Sequence, residues 1–414
     1  MMVRVACFVG LDWSDEKHAY TVKGSEGIER RGIFKSDPET VHGWVRELRE
    51  AHPEGVIRVG LEQSRGPLMY ALSAYDFLEL VPINPLAAKS YRDSLYLSGA
   101  KDDPADADLI CDFVRTHETI LRVWRADDAN TRKLRLLVEG RRTLVDQRTA
   151  LTQALSATLK QYFPQILSWF GEANTKLTRA FLLRWPSLDQ VVRARSSAIR
   201  TLVQSHSRKK SADIDALVEK IRTTVALTTD SAIIDAMSLL ATSYVTLLAA
   251  IEEPIHSYDE EIAKLWSAHP DQTIFASFPG AGPVMAPRLA VAFGTDRTRF
   301  TDATEMQCYS GIAPVIERSG KKTWTHSRWR CSQFLKQTFH EFAAASLPFC
   351  SWALAFYRQQ RERGAGHHAA IRSLAFRWIR ILFHCWKTNQ PYDDKTYIDS
   401  LKRRNSPLVA RLAA

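Results

Sequence analysis

Residues 3–12 read V-R-V-A-C-F-V-G-L-D, an apolar run that closes on a carboxylate. The run predicts a strand with Asp12 at its exit. Working outward, a polar turn separates it from further strands around Ala19 to Val22 and Arg31 to Phe34, so the chain opens as a β-meander. A helix is predicted over Pro38 to Ala51, then an apolar strand, V-I-R-V-G-L-E, ending at Glu62. A helical stretch from Pro67 to Phe77 and the short strand L-V-P-I-N follow. Strands first, then strands alternating with helices, predict an α/β sheet of mixed direction.

Strand ends are where distant stretches of sequence bring side chains together, and here two such ends carry acids, Asp12 and Glu62. Further on lies K-D-D-P-A-D-A-D-L-I, residues 101–110. Pro104 suits a first helical position, which makes Asp103 a cap and puts Asp106 one turn on along the same face. Carboxylates of this kind are hard oxygen ligands for a pair of divalent cations at a phosphodiester. Taken singly, each has a plain alternative as a turn former, a surface acid or a helix cap. Asp102 and Asp108 stand close enough to compete for the same role.

From Thr131 the pattern turns helical, with Leu134, Leu137, Leu144, Leu151, Leu155 and Tyr162 on one stripe. Residues 164–225 are mixed, broken by Pro164 and Pro186, with the run Arg208, Lys209, Lys210 as an exposed loop. A second stripe, Ile233, Met237, Leu240, Tyr244, Leu247, Ile251, Ile255, Tyr258, Ile262 and Leu265, has heptad spacing, with a kink expected at Pro254. It reads either as a coiled-coil arm pairing subunits or as a hairpin with the Thr131 helix. After Pro270 the sequence becomes rich in Gly, Pro and aromatics, and a third unit begins.

The formal charge of +10 is unevenly spread. Residues 121–222 hold 20 Lys and Arg against 9 acids, and residues 317–404 hold 17 against 6, leaving the rest of the chain net acidic. Such segments attract polyanions, although solvated helix faces have the same composition. Six scattered cysteines without a CxxC pair suggest neither a zinc knuckle nor a disulfide framework, and fit a reducing compartment. The longest apolar stretch, near Leu239 to Ile251, is interrupted by Thr, Ser and Tyr, so neither a membrane span nor a signal peptide is expected.

In the last third, S-F-P-G-A-G-P-V-M-A-P-R-L reads as a helix-hairpin-helix turn offering N–H groups to a phosphate, or as a plain Gly/Pro turn. A-P-V-I-E-R-S-G-K-K-T-W-T reads as a β-hairpin with Ser319 near its tip, flanked by Arg318, Lys321 and Lys322. Arg328 and Arg330 follow in S-R-W-R. Residues 372–386 interleave Arg with aromatics, as a nucleic-acid surface does, yet Phe376, Ile379 and Phe383 equally suit a core face. His326, His367 and His368 lack metal-ligand spacing.

These motifs, taken in order, resemble the DEDD transposases of bacterial insertion sequences, the bridge-RNA-guided serine recombinases. The matching signatures are G-L-D at Gly10 to Asp12, L-E-Q-S at Leu61 to Ser64, I-N-P at Ile83 to Pro85 and K-D-D-P-A-D-A at Lys101 to Ala107. Nearer the C-terminus stand F-P-G-A-G-P at Phe278, Y-S-G-I-A-P at Tyr309, R-S-G-K at Arg318 and F-L-K-Q-T-F at Phe334. The resemblance implies a RuvC-like, RNase H-fold domain over residues 1–128, a helical coiled-coil region over 129–268 and a mostly helical C-terminal transposase domain over 269–414. Residues 164–225 are longer than the family's coiled-coil region and take no implied role. It also implies that Asp12, Glu62, Asp103 and Asp106 hold two Mg²⁺ ions and that Ser319 is the nucleophile. Donor and target DNA, a guide RNA, a homo-oligomer (dimer or tetramer) and a bacterial cytoplasmic, nucleoid-associated location are implied with them. Two rivals remain: a junction-resolving nuclease that uses water, and a binding protein with a decayed catalytic domain.

Overall fold

The computed structural model describes residues 4–24, 27–62, 66–95, 103–320, 322–329 and 331–412, and the chain divides into two compact units, residues 1–126 and 127–414. The first unit contains β1 (Val5–Trp13), β2 (Lys17–Lys23), β3 (Ile28–Lys35), α1 (Pro38–Ala51), β4 (Val56–Leu61), α2 (Pro67–Leu72), β5 (Leu78–Pro82), α3 (Pro85–Leu95) and α4 (Asp103–Thr116). Its sheet has the order β3-β2-β1-β4-β5, with β1 antiparallel to β2 and parallel to β4, which is the mixed direction expected. The helical stretch expected to reach Phe77 stops at Leu72.

Alternation along β1 and β4 assigns each sheet face a helix layer. Cys7, Val9 and Leu11, with Ile57, Val59 and Leu61, join the core that includes Val41, Trp44, Val45 and Leu48 of α1. Those four α1 residues recur at helical spacing, and the helix is started by Pro38 and by the Asp37 carboxylate, which accepts the Thr40 N–H. Such a cap is worth about 1 kcal/mol. On the opposite face Phe8 packs with Ile110 and Val114 of α4. Burial pushes the Cys7 and Cys111 thiols up to about 12, so both remain protonated and pack as small apolar groups.

The second unit is built on two long helices, α5 (Ala129–Tyr162) and α11 (Ser231–Ser267). Between them lie α6 (Gln165–Phe170), α7 (Lys176–Arg184), α8 (Leu188–Arg193), α9 (Ser196–His206) and α10 (Ser211–Thr223). Beyond α11 come α12 (Gln272–Ala276), α13 (Met285–Phe293), α14 (Ala303–Tyr309), β6 (Val315–Ser319), β7 (Lys322–His326), α15 (Gln333–Ser346), α16 (Ser351–Glu362), α17 (His367–Thr388) and α18 (Asp394–Arg403). The long helices run antiparallel, joined by ion pairs from Arg141 to Asp259 (2.5 Å) and from Arg148 to Glu252 (3.6 Å). One end of this pair packs Leu134, Val138, Ile262 and Trp266 into the core of α12–α18. The other packs Leu155, Leu159, Val245 and Leu248 against α6–α10, so residues 164–225 form a helical cap with its own core.

The hairpin reading of the two stripes is therefore the one realised within this chain. It leaves apolar surface over: Leu240 and Leu247 of the heptad remain 37% and 51% exposed, while Ala241, Val245 and Leu248 face inward. Helix α11 continues through Pro254. By length and composition it is long and apolar enough to cross a membrane, and it is at the same time paired with α5 along its length.

Candidate active site

Gly10 and Gly60 are register partners in the parallel ladder of β1 and β4. A Cβ at Gly10 would collide with the Ala107 carbonyl oxygen, and one at Gly60 would collide with the Val114 side chain. Both glycines therefore face α4, which lies flush on the sheet, and the Cys111 thiol reaches the Phe8 carbonyl at 3.2 Å. Asp12 stands two residues after Gly10 and thus shares its face. Leu11 pairs with Leu61, so Asp12 in β1 and Glu62, the residue that follows β4, stand at the same end of neighbouring parallel strands. Both are half-buried.

Helix α4 begins at Asp103, one residue earlier than a cap at that position requires, and it starts at the end of the sheet where Asp12 and Glu62 emerge. Asp106 adjoins the Ala107 that covers Gly10. It is 5% exposed and its carboxylate meets the Arg92 guanidinium of α3 at 2.5 Å. The side chain of Asp103, and all of Asp102, lie outside the described residues. Asp108 is committed elsewhere: Lys23 of β2 sits 2.7 Å from Asp108 and 2.7 Å from Asp112, and Arg31 is 2.7 Å from Asp108. Burial alone would lower the Lys23 pKa; the two carboxylates more than offset it, so the ammonium is held above its usual range. Asp108 and Asp112 thus clamp α4 to β2, and Asp108 also ties it to β3.

Carboxylates such as Asp12, Glu62 and Asp106 are hard oxygen donors, suited to Mg²⁺ and poor for softer metals. Among the described residues no three His, Cys, Asp or Glu side chains are grouped closely enough to hold an ion, and Arg92 supplies the neutralising charge at Asp106. Sequence reasoning missed Arg92 and Lys23. Neither stands in a motif, and only the packing of α3 and β2 around α4 marks them.

Ser319 belongs to the second unit. It ends β6 and pairs with Lys322, the first residue of β7, across a two-residue turn in which Gly320 has φ +56°. Ser319, Arg318 and Lys322 are exposed, and so are Ile316 and Trp324 at 56% and 49%, so the hairpin stands clear of the core as a projecting finger. Glu317 and His326 lie 3.6 Å apart across it. Lys321 and Arg330 lie outside the described residues; Arg328 is half-buried at the hairpin root. Gly280, in the suspected phosphate-binding turn, has φ +79°, and a Cβ there would come 2.5 Å from the Ala345 carbonyl, so its freedom serves packing against α15. Arg288 beyond it is buried and pairs with Glu341 at 2.6 Å. The segment connects α12 to α13, the helix-turn-helix order that both readings of it require.

Residues 9–164 match a transposase family model of the IS110 DEDD type, and residues 272–358 match the model described as Transposase IS116/IS110/IS902 family. The two matches support the DEDD transposase family. The first spans Asp12, Glu62 and α4; the second spans the β6–β7 hairpin and ends inside α16. Among relatives, the "Mini-circle putative transposase for IS117" of Streptomyces coelicolor is 28% identical over 94% of this chain and 95% of its own length. The "Insertion element IS110 uncharacterized 43.6 kDa protein" of the same organism is 25% identical over 94% of this chain and 96% of its own length. The similarity supports a transposase, an enzyme that acts on DNA.

Proposed function

We propose that this transposase cuts and rejoins DNA by serine chemistry, with the acids of the first unit and Ser319 of the second acting on one scissile phosphate. The observation that carries this reading is that the two matched segments are the ones that bear the acids at the strand ends and the serine at the hairpin turn. The first unit is then an RNase H-like domain of the RuvC type, roughly residues 1–128. Residues 129–268 serve as the coiled-coil region and residues 269–414 as the transposase domain.

Asp12, Glu62, Asp106 and Asp103 are the residues that would hold divalent metal, with Arg92 releasing Asp106 on loading. Bound Mg²⁺ supplies charge neutralisation at the phosphate. Ser319 Oγ attacks phosphorus as its proton leaves to solvent or a nearby base, and the bond from phosphorus to one deoxyribose oxygen breaks, that oxygen taking up a proton. The phosphoserine ester conserves the bond, so reversal onto a different strand rejoins DNA without a nucleotide cofactor. Arg318, Lys321, Lys322, Arg328 and Arg330 bind the flanking phosphates. A guide RNA encoded by the element selects donor and target, and the exposed Leu240 and Leu247 stripe pairs copies of the chain in the bacterial cytoplasm, at the nucleoid.

The test is a denaturing gel of protein, guide and cognate DNA with Mg²⁺. Wild type should give a nuclease-sensitive protein-DNA band, and Ser319→Ala should lose both band and recombination while binding DNA normally. Ser327→Ala and Ser332→Ala should keep the band. Cleavage by the wild type without any adduct means that water is the nucleophile, as in a junction-resolving nuclease.

A further inference from the structure

Helix α17 separates two cavities. One, of about 600 Å³, opens at the hairpin root between Pro314, His326 and Arg328 on one side and Arg372 of α17 on the other. The second, of about 1060 Å³, lies between α17 and α18 and reaches Arg403 and Arg404. Arg377 and Arg380 line both, so the cavities meet along their side chains.

The charge in this track is one-sided. Arg288, Arg297, Arg299 and Arg411 elsewhere in the same unit each pair with an Asp or Glu. Arg328, Arg372, Arg377, Arg380, Arg403 and Arg404 have no carboxylate at ion-pair distance among the described residues. Asp393 supplies the track's sole carboxylate among the described lining residues, and it is spent capping α18 through the Thr396 and Lys395 N–H groups. Six uncompensated guanidinium groups repel one another unless an anion joins them. Two lie over rings, Arg377 at 4.2 Å from the Phe356 centroid and Arg380 at 5.3 Å from that of Phe376, which gives flat cation-aromatic platforms of the kind on which bases stack. The hydrophobic faces of α17 are otherwise consumed: Ile379, Trp378 and Trp386 are fully buried.

We propose that these joined cavities are a binding track for the backbone of a single, unpaired nucleic-acid strand, running from α18 past α17 to the root of the β6–β7 hairpin. Pockets of this size admit nucleotides singly, whereas a duplex presents its phosphates on a cylinder too broad to enter. From Pro314 to Ser319 is five residues of β6, roughly 17 Å at strand rise, so a strand leaving the track is delivered to the turn that carries Ser319. The inference rests on the reading of the chain as a nucleic-acid enzyme. Helices α17 and α18 lie beyond the segment matched by the second family model.

The experiment is fluorescence anisotropy of the full chain with labelled oligo(dT), oligo(U) and a DNA duplex across a salt series. Arg377→Gln with Arg380→Gln should weaken binding of one or both single strands about tenfold and flatten the dependence of log affinity on log salt by about 1.4, close to 0.7 per lost phosphate contact. Loss confined to oligo(U) identifies the strand as RNA, loss confined to oligo(dT) identifies it as DNA, and loss of both identifies a shared track. Because Arg377 also packs on Phe356, a second pair, Arg403→Gln with Arg404→Gln at exposed positions, should show the same direction with an unchanged melting temperature. Exposed Arg193→Gln should change nothing. Wild-type affinity and slope for both single strands in both pairs, or a loss seen only with duplex, overturns the track. The adduct assay with Ser319→Ala is read separately, so a failed serine mechanism and a failed track are told apart.

Discussion

Gly10 and Gly60 are paired across β1 and β4, and both press their bare Cα atoms against α4, so that the helix carrying Asp103 and Asp106 lies flush on the strands carrying Asp12 and Glu62. Gly10→Ala should therefore lift α4 off the sheet. Overpacking of this kind costs about 1–3 kcal/mol, which chemical denaturation would measure, and cleavage should fall further than the loss of folded protein explains. Gly43, in the interior of α1 with open space where its Cβ would stand, is the control. Gly43→Ala should stabilise by about 0.5–1 kcal/mol through helix propensity, leaving cleavage unchanged. Equal behaviour of the two variants would mean that α4 is not seated as described.

Asp106 and Asp108 stand two residues apart with different duties. Asp12→Asn and Asp106→Asn should each reduce Mg²⁺-dependent cleavage at least a hundredfold while DNA affinity stays within about twofold, because the cations that hold DNA lie elsewhere. Asp108→Asn removes the partner of Lys23 and Arg31, and should lower stability by about 1–2 kcal/mol yet preserve cleavage per folded molecule. Asp108 replaces Asp106 in the assignment if the pattern is reversed.

Leu240 and Leu247 are exposed, so charges there do not disturb the α5–α11 hairpin. Leu240→Glu with Leu247→Glu should keep the wild-type circular dichroism spectrum and melting curve while light scattering reports a smaller assembly. An unchanged mass would leave that stripe without a partner in the homo-oligomer.

His269 is buried between α11 and α12, where its Nδ1 accepts the Asp271 N–H at 3.1 Å and its Nε2 lies 3.0 Å from Thr131 Oγ1. Thr131 Oγ1 donates to Asp128, so the ring nitrogen facing it carries the proton and the ring is neutral. Burial pushes its pKa below 6.5, against the pull of Asp271, Asp128 and Asp127 and with the push of Arg297. The unfolded chain then binds a proton that the folded chain refuses, so this contribution to stability is complete above about pH 6.5 and is lost as pH falls below it. Urea midpoints measured from pH 7.5 down to 5.5 should decline, and His269→Gln should be less stable at pH 7.5 with a shallower decline. A decline as steep as that of wild type would assign it to His18 and His340, whose pKa values burial also lowers.

Much of this architecture was legible as pattern. Apolar runs that close on acids marked β1 and β4, Pro38 marked the start of α1, and the Ser319-Gly320 pair marked the turn of a hairpin now seen with Ser319 at its edge. These features depend on neighbours within a few residues, and local sequence carries them. The heptad stripe was legible as a stripe but not as to its partner, because Leu240 and Val245 are equally apolar in sequence and differ only in which one α5 reaches.

The sequence by itself determined that acids stand at the ends of strands and at a helix start, that a serine stands at a basic turn, and that excess Lys and Arg are concentrated in residues 121–222 and 317–404. Those are statements about spacing and composition. Tertiary structure alone decided that Asp12 and Glu62 stand at the same end of neighbouring strands, because that required the parallel register of Leu11 with Leu61. It decided that Arg92 neutralises Asp106 and Lys23 neutralises Asp108, and that six arginines, from the hairpin root to the end of α18, border joined cavities without a carboxylate partner among the described residues. The reason is physical: charge pairing and cavity shape are set by distances through space between residues far apart in the chain, and no local propensity records those distances.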